Sequence, residues 1–131
     1  MTPIFFLNWS ERVDPSLIQQ FECINFHCAP LPYGRGGHPI ENMILLGHGS
    51  TVITAHRMTD EMDAGPIYAV SESVSLEGSK REIQARMMPV CADLIRLILD
   101  TQPTPQPQVG EVVTFKRLSP NAFAQFWAAR G

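Results

Sequence analysis

The sequence predicts an α/β fold, and three observations carry that prediction. Short apolar or β-branched runs alternate along the chain with segments of helical spacing, as in a sheet covered by helices. One helix carries a long apolar stripe: Ile83, Met87, Val90, Leu94 and Ile98 recur at helical intervals. Helix starts are marked chemically, by Asp14-Pro15 and by the capping box Ser79-Lys80-Arg81-Glu82.

Taken in order, Pro3 to Trp9 reads as a buried strand, being almost wholly apolar and free of glycine. Asp14 caps a short helix from Ser16 to Phe21, with Pro15 at its first position. Cys23 to His27 is the second strand, and the proline- and glycine-rich segment Cys28 to His38 is a loop. Pro39 opens a helix through Leu46, with Ile40, Met43 and Ile44 on one face and Gly47 as its stop. Thr51 to Arg57 is the third strand, rich in β-branched residues. An acidic loop from Thr59 to Ala64 leads through Gly65-Pro66 into a fourth strand, Ile67 to Val74. After the long helix, Pro103 to Pro107 is a linker-like loop and Val112 to Phe115 a last short strand. Ser119-Pro120 opens a terminal helix carrying Phe123 and Phe126.

At 131 residues the chain makes one domain with one modest core. The longest apolar runs fall short of the roughly 18 to 20 residues that cross a bilayer. The first residues lack the basic front and small-residue cleavage site of a signal peptide, so a cytoplasmic location is expected. A net charge of −3 argues against a phosphate-tracking surface, and a nucleic-acid partner is not expected. Three cysteines without a Cys-x-x-Cys pair suit neither a disulfide framework nor a zinc site, and no metal is expected.

Side chains in a strand alternate faces, so Asn25 and His27 share one face of the second strand and Ile24 and Phe26 the other. Both polar groups lie at the strand's carboxyl end, where open α/β sheets place ligands. Asp63, in the acidic loop, is the carboxylate that completes an amide, imidazole and carboxylate set. Taken singly, each has a plain reading: a hydrogen-bonded structural pair for Asn25 and His27, a turn residue for Asp63, a solvated loop face for Asp60 and Glu61. His38, His48 and His56 show no spacing signal and are assigned surface or capping roles. Cys28 follows His27 directly, so the two side chains point to opposite faces and make no nucleophile–base pair.

Jointly and in order, the motifs resemble a known family. Asn25-x-His27, the loop with Leu31-Pro32 and Arg35-Gly36, Pro39 opening a helix, and Asp63-x-Gly65-Pro66-Ile67 are similar to the folate-dependent formyltransferases. That group includes glycinamide ribonucleotide formyltransferase, methionyl-tRNA formyltransferase and the sugar N-formyltransferases. Tyr33 to Gly37 and the tail Gly110 to Arg117 look most like small bacterial members that modify amino sugars. The similarity runs from about Pro3 to Pro120. Cys28-Ala29-Pro30 departs from the polar step the family usually has after the histidine.

The resemblance implies a Rossmann-like formyltransferase sheet with flanking helices, lacking the family's first strands and the loop that commonly holds the acceptor's phosphate. The chain then reads as the C-terminal portion of that catalytic domain, with residues 110–131 as its tail. It implies 10-formyltetrahydrofolate as formyl donor and a primary amine as acceptor, expected on a nucleotide-linked or activated amino sugar. Methionyl-tRNA formylation is the alternative within the enzymes, and a truncated, non-catalytic folate-binding module the alternative outside them. Asn25, His27 and Asp63 would be catalytic: the amide donating to the oxyanion, a protonated imidazole stabilising it or acting as general acid toward the departing folate nitrogen, the carboxylate holding that charge and accepting the amine's proton. Leu7, Asn8 and Trp9, with backbone around Thr59, Asp60, Glu61 and Met62, would line the folate pocket. An exposed N-terminal strand edge implies a homodimer.

Overall fold

The computed structural model describes residues 1–7 and 11–131. Strand β1 (Pro3–Phe6), helix α1 (Pro15–Gln20) and strand β2 (Glu22–His27) form a strand–helix–strand unit, with β1 pairing β2 in parallel. β5 (Thr54–Arg57) then runs antiparallel to β2, and β6 (Ile67–Val70) antiparallel to β5. The central sheet therefore has the order β1-β2-β5-β6, with β1 at one end. It is a mixed sheet with flanking helices, as the α/β expectation requires.

The helix signals act as read. Asp14 accepts from the Ser16 N–H, and Ser79 and Glu82 close a reciprocal capping box. α2 spans Pro39–Leu45 and α3 Lys80–Thr101, passing through Pro89. From α3, Ile83, Met87, Cys91, Leu94 and Ile98 reach the core, where they meet Ile24, Phe26, Ile53 and Ala55 of the sheet region. Cys91 takes the place in the buried stripe that the spacing gave to Val90, which packs at its margin. Met87 is core, whereas Met88 faces outward.

Four strand assignments change. The predicted loop Cys28 to His38 contains β3 (Tyr33–Gly36), which pairs in parallel with β8 (Val113–Phe115). Its glycines hide it from propensity, yet Gly34 and Gly36 hold positive φ and lie against Phe115, where side chains would collide. Thr51 to Arg57 divides into β4 (Ser50–Thr51) and β5, and Ile67 to Val74 into β6 and β7 (Val74–Ser75). β4 and β7 form their own two-stranded sheet, so the chain leaves the main sheet on both sides of the break. The first strand is shorter than predicted: it ends at Phe6, and Asn8 and Trp9 lie outside the described residues.

The turn after β2 is fixed from β4 and β5. Thr51 donates to the Cys28 carbonyl at 3.0 Å and the fully buried Thr54 to the Ala29 carbonyl at 2.6 Å. These bonds hold the end of β2 where His27 projects. The terminal helix α4 (Pro120–Ala128) begins at a Ser119 cap and returns to α2, where Trp127 donates its indole N–H to buried Glu41 at 2.9 Å. Among the described residues, no helix is long and apolar enough to cross a membrane.

Candidate active site

The β2–β5 register sets Asn25 directly opposite His56 and His27 opposite Thr54. Asn25 and His56 are in side-chain contact, with Asn25 Nδ2 3.4 Å from His56 Nε2. Asp63 follows β5 in a left-handed conformation, φ 56°, which aims its carboxylate back at the sheet. Its Oδ1 stands 3.6 Å from His27 Nδ1 and 3.6 Å from His56 Nε2. Its Oδ2 accepts from the Gly36 N–H at 2.9 Å. All three side chains are about nine-tenths buried or more (7% exposure for His27, 3% for His56, 10% for Asp63).

The tautomers follow from the partners. His27 Nε2 lies 2.7 Å from the Gly34 carbonyl, which only accepts, so Nε2 carries the hydrogen. His56 Nδ1 likewise faces the Arg57 carbonyl at 3.2 Å. In His27 the nitrogen that faces Asp63 is thus the one open to a further proton, while the Nε2 edge of His56 faces both Asp63 and the Asn25 amide. Burial pushes the His27 pKa down, against the opposing pull of Asp63 and the Gly34 bond. Burial alone would raise Asp63, but His56, His27 and the Gly36 N–H together hold it below the usual carboxylate value. Burial therefore opposes the charged His27 that the resemblance implies, while the neighbouring Asp63 carboxylate favours it.

Loop geometry around Asp63 is set from three directions. Gln108 donates its amide to the backbone carbonyls of Asp63 and Gly65, at 2.8 and 2.9 Å. Arg35 donates to Gln108 Oε1 at 3.1 and 2.8 Å and also faces Glu61 at 3.9 Å. Gly65 lies so close to the Arg57 carbonyl that a Cβ would overlap it.

These groups open on a cavity of about 690 Å³, a size that suits a small-molecule ligand. Asn25, His27, Asp63, Thr59, Asp60, Glu61 and Met62 all line it. Asp60, Glu61 and Met62 are exposed, so they contribute as a rim. Leu7 does not face this cavity; it borders a small apolar pocket of about 20 Å³ with Phe26, Cys28 and Met87. Asn8 and Trp9 lie outside the described residues.

Sequence reasoning missed His56 and Gln108. His56, assigned a surface or capping role, is only 2% exposed and touches Asp63. Its signal was positional: it sits in a β-branched strand, on the same face as buried Thr54. His48 is exposed and bonded to the Tyr33 hydroxyl at 2.8 Å, in keeping with its surface assignment. Burial pushes the Cys28 thiol up to about 12, which agrees with its dismissal as a nucleophile.

Residues 8–94 match the formyl transferase family. Methionyl-tRNA formyltransferase of Methylobacterium sp. (strain 4-46) is 32% identical over 101 residues, covering 72% of this chain and 33% of that protein. The methionyl-tRNA formyltransferase structure from Clostridium thermocellum superposes with a TM-score of 0.88 at 34% identity, covering 92% of this chain and 53% of that one. A Mycobacterium tuberculosis protein assigned by inference as a sugar N-formyltransferase matches at a TM-score of 0.70 and 25% identity, covering 94% of this chain and 53% of that one. The chain spans about a third of the length of the curated relatives it matches. By its sequence, and by a fold that brings Asn25, His27 and Asp63 to one cavity, the chain belongs to the formyl transferase family.

Proposed function

We propose that this chain transfers a formyl group from 10-formyltetrahydrofolate to a primary amine. The observation that carries the reading is the Asp63 carboxylate, buried 3.6 Å from one ring nitrogen each of His27 and His56. The neutral amine attacks the formyl carbon, and the carbonyl oxygen becomes anionic. Asn25 donates to that oxygen, a contribution worth about 2.7–4 kcal/mol where such donors are removed in other enzymes. The amine's proton passes toward Asp63 and the facing nitrogen of His27, and the resulting imidazolium is stabilised by the carboxylate beside it. Collapse of the tetrahedral adduct breaks the bond to the folate nitrogen, which leaves with a proton. The glycine-rich loop and the rim from Thr59 to Met62 supply backbone for the pterin.

Two acceptors are supported by different observations. The Tyr33 to Gly37 loop and the acidic balance favour a nucleotide-linked amino sugar, in the cytoplasm where such donors and acceptors circulate. The 34% identity and 0.88 superposition with the Clostridium thermocellum protein favour methionyl-tRNA. Paired assays with a UDP-linked 4-amino sugar and with charged initiator tRNA separate the two. β1 ends the sheet order, which supports edge pairing with a second copy; a dilution-stable monomer in sedimentation refutes that.

Calorimetric titration with 5-formyltetrahydrofolate tests the donor site directly. Saturable binding that Asp63→Asn weakens is the expected result. A folded chain that binds no folate refutes the reading and leaves a non-catalytic remnant.

A further inference from the structure

The cavity has a second end, built from α2, α3 and the segment after β8, that the formyl-transfer reading leaves unused. His38 caps α2 in a left-handed conformation, φ 50°. Its Nδ1 accepts from the Leu118 N–H at 2.9 Å, so Nε2 carries the hydrogen and is left as a donor. The ring stacks on Phe123 at 4.7 Å, and Lys80 Nζ stands 4.9 Å from the same Phe123 ring. Arg117 packs against Gly37, where its Cβ would lie 3.0 Å from an added Cβ. His38, Lys80, Arg117 and Phe123 all line the cavity.

His38 and Lys80 thus meet at the Phe123 ring, and Arg117 lines the same cavity against Gly37. Among the described residues neither Lys80 nor Arg117 has a carboxylate within salt-bridge distance. Glu41, the carboxylate that faces this corner, is occupied by the indole N–H of Trp127 at 2.9 Å. Burial, Arg117 and Lys80 all favour the neutral form of His38, with Glu41 opposing. Unpaired cations beside a fixed donor make a place for an anion, and phosphate oxygens accept from such groups strongly.

Its position relative to Asp63 is bounded by the chain itself. Gly36 donates to Asp63 Oδ2, Gly37 meets Arg117, and His38 meets Leu118 and Phe123. Three consecutive residues span both ends, so their outer Cα atoms are at most about 7 Å apart. The two ends are therefore neighbouring parts of one cavity, and a single acceptor can present its amine to one and an anionic group to the other.

We propose that Lys80, Arg117 and His38 form an anion subsite that binds a phosphate group of the acceptor. The proposal rests on the reading of the Asp63 end as the formyl-transfer centre. It assigns to this chain a phosphate contact that the resemblance places in a segment preceding it. The competing source of negative charge is the glutamate carboxylates of the folate.

The test is titration of the full chain with inorganic pyrophosphate, in wild type and in Lys80→Ala, Arg117→Ala and the double variant. Circular dichroism and the 5-formyltetrahydrofolate titration are run on each variant. Saturable pyrophosphate binding is expected, weakened about tenfold by either substitution and lost in the double variant, as for removal of charge-assisted bonds. Folate affinity is expected to stay within about twofold of wild type, because that ligand's pterin binds at the other end. UDP and a CCA trinucleotide as further probes identify the source of the phosphate, the tighter binder naming the acceptor class. Absence of pyrophosphate binding, or equal binding by the folded double variant, overturns the proposal. So does a parallel loss of folate affinity, which reassigns the corner to the glutamate tail. Pyrophosphate binding that depends on both cations in a chain that binds no folate retains the anion subsite and refutes the formyl-transfer reading instead.

Discussion

Gln108 donates its side-chain amide to the backbone carbonyl of Asp63 at 2.8 Å, across 45 positions of sequence. With its second bond to Gly65 and its acceptor oxygen held by Arg35, it fixes the turn from which the carboxylate projects. Gln108→Ala removes both bonds, and at about 1 kcal/mol each the loss of stability is about 1–3 kcal/mol. Because Gln108 acts through Asp63, its substitution should also shift the His27 titration seen by NMR, while a remote variant of equal stability leaves it unmoved. An unchanged His27 titration reduces Gln108 to a packing role.

Asp63→Asn keeps the shape of the residue and removes the charge between two imidazoles. The His27 pKa, already low, should fall further, because Asp63 is the largest influence raising it. Formyl transfer should drop by about 10²–10⁴-fold, the range for loss of a positioned proton acceptor. A kinetic assay with the amine acceptor, paired with the NMR titration, reads both effects in one variant. Activity within a few fold of wild type would remove Asp63 from the chemistry.

Stability should depend on acid in two stages. The folded-state pKa values of His27 and His38 lie below the ordinary 6.5, so unfolded chains bind more protons as pH falls through that value. The stability these neutral rings contribute is present above 6.5 and is lost progressively below it. Asp63 sits below its ordinary 3.8, so its share survives until pH falls through that value toward the folded pKa. Urea unfolding from pH 7.5 to 3.5 should show declining stability from about 6.5 downward. A His38→Gln variant should show a shallower decline in the upper window; an identical slope would contradict the assignment.

Gly65→Ala is expected to be among the most damaging single-methyl additions. A Cβ there overlaps the Arg57 carbonyl, and the backbone on both sides is tied down, by Gln108 at Gly65 and by the Arg57 N–H at Pro66 (2.9 Å). Forced backbone movement in a packed region costs about 1–3 kcal/mol or more. Thermal unfolding measures it, and Gly49→Ala, where an added Cβ meets open space, is the matched control.

Much of the fold was readable because its signals are local. Asp14, Ser79 and Ser119 cap the helices they precede, and Ile24-Asn25-Phe26-His27 alternates apolar and polar residues within β2. β3 was not readable, because Tyr33–Gly36 is a strand only by virtue of Phe115 and its neighbours on β8. The breaks after Thr51 and Val70 were hidden for a related reason: the β4–β7 pairing that causes them is non-local. At the site, Asn25, His27 and Asp63 were found by motif order, whereas His56 is placed by register. It became visible only once β5 was known to lie antiparallel to β2 with Asn25 opposite it. Gln108 sits in a proline-rich stretch with no periodicity, and its role exists only through backbone carbonyls that have no sequence identity.

The bond from Trp127 to Glu41 gives the molecule its own optical readout. The indole lines the cavity, and its N–H is engaged by a buried carboxylate. The only other tryptophan in the sequence is Trp9. In a Trp9→Phe background the emission comes from Trp127 alone, so its wavelength and quenching report occupancy of that end of the cavity without a label. Donor and acceptor can then be added in either order and their arrival followed in real time, which turns a question of binding into one of sequence of events.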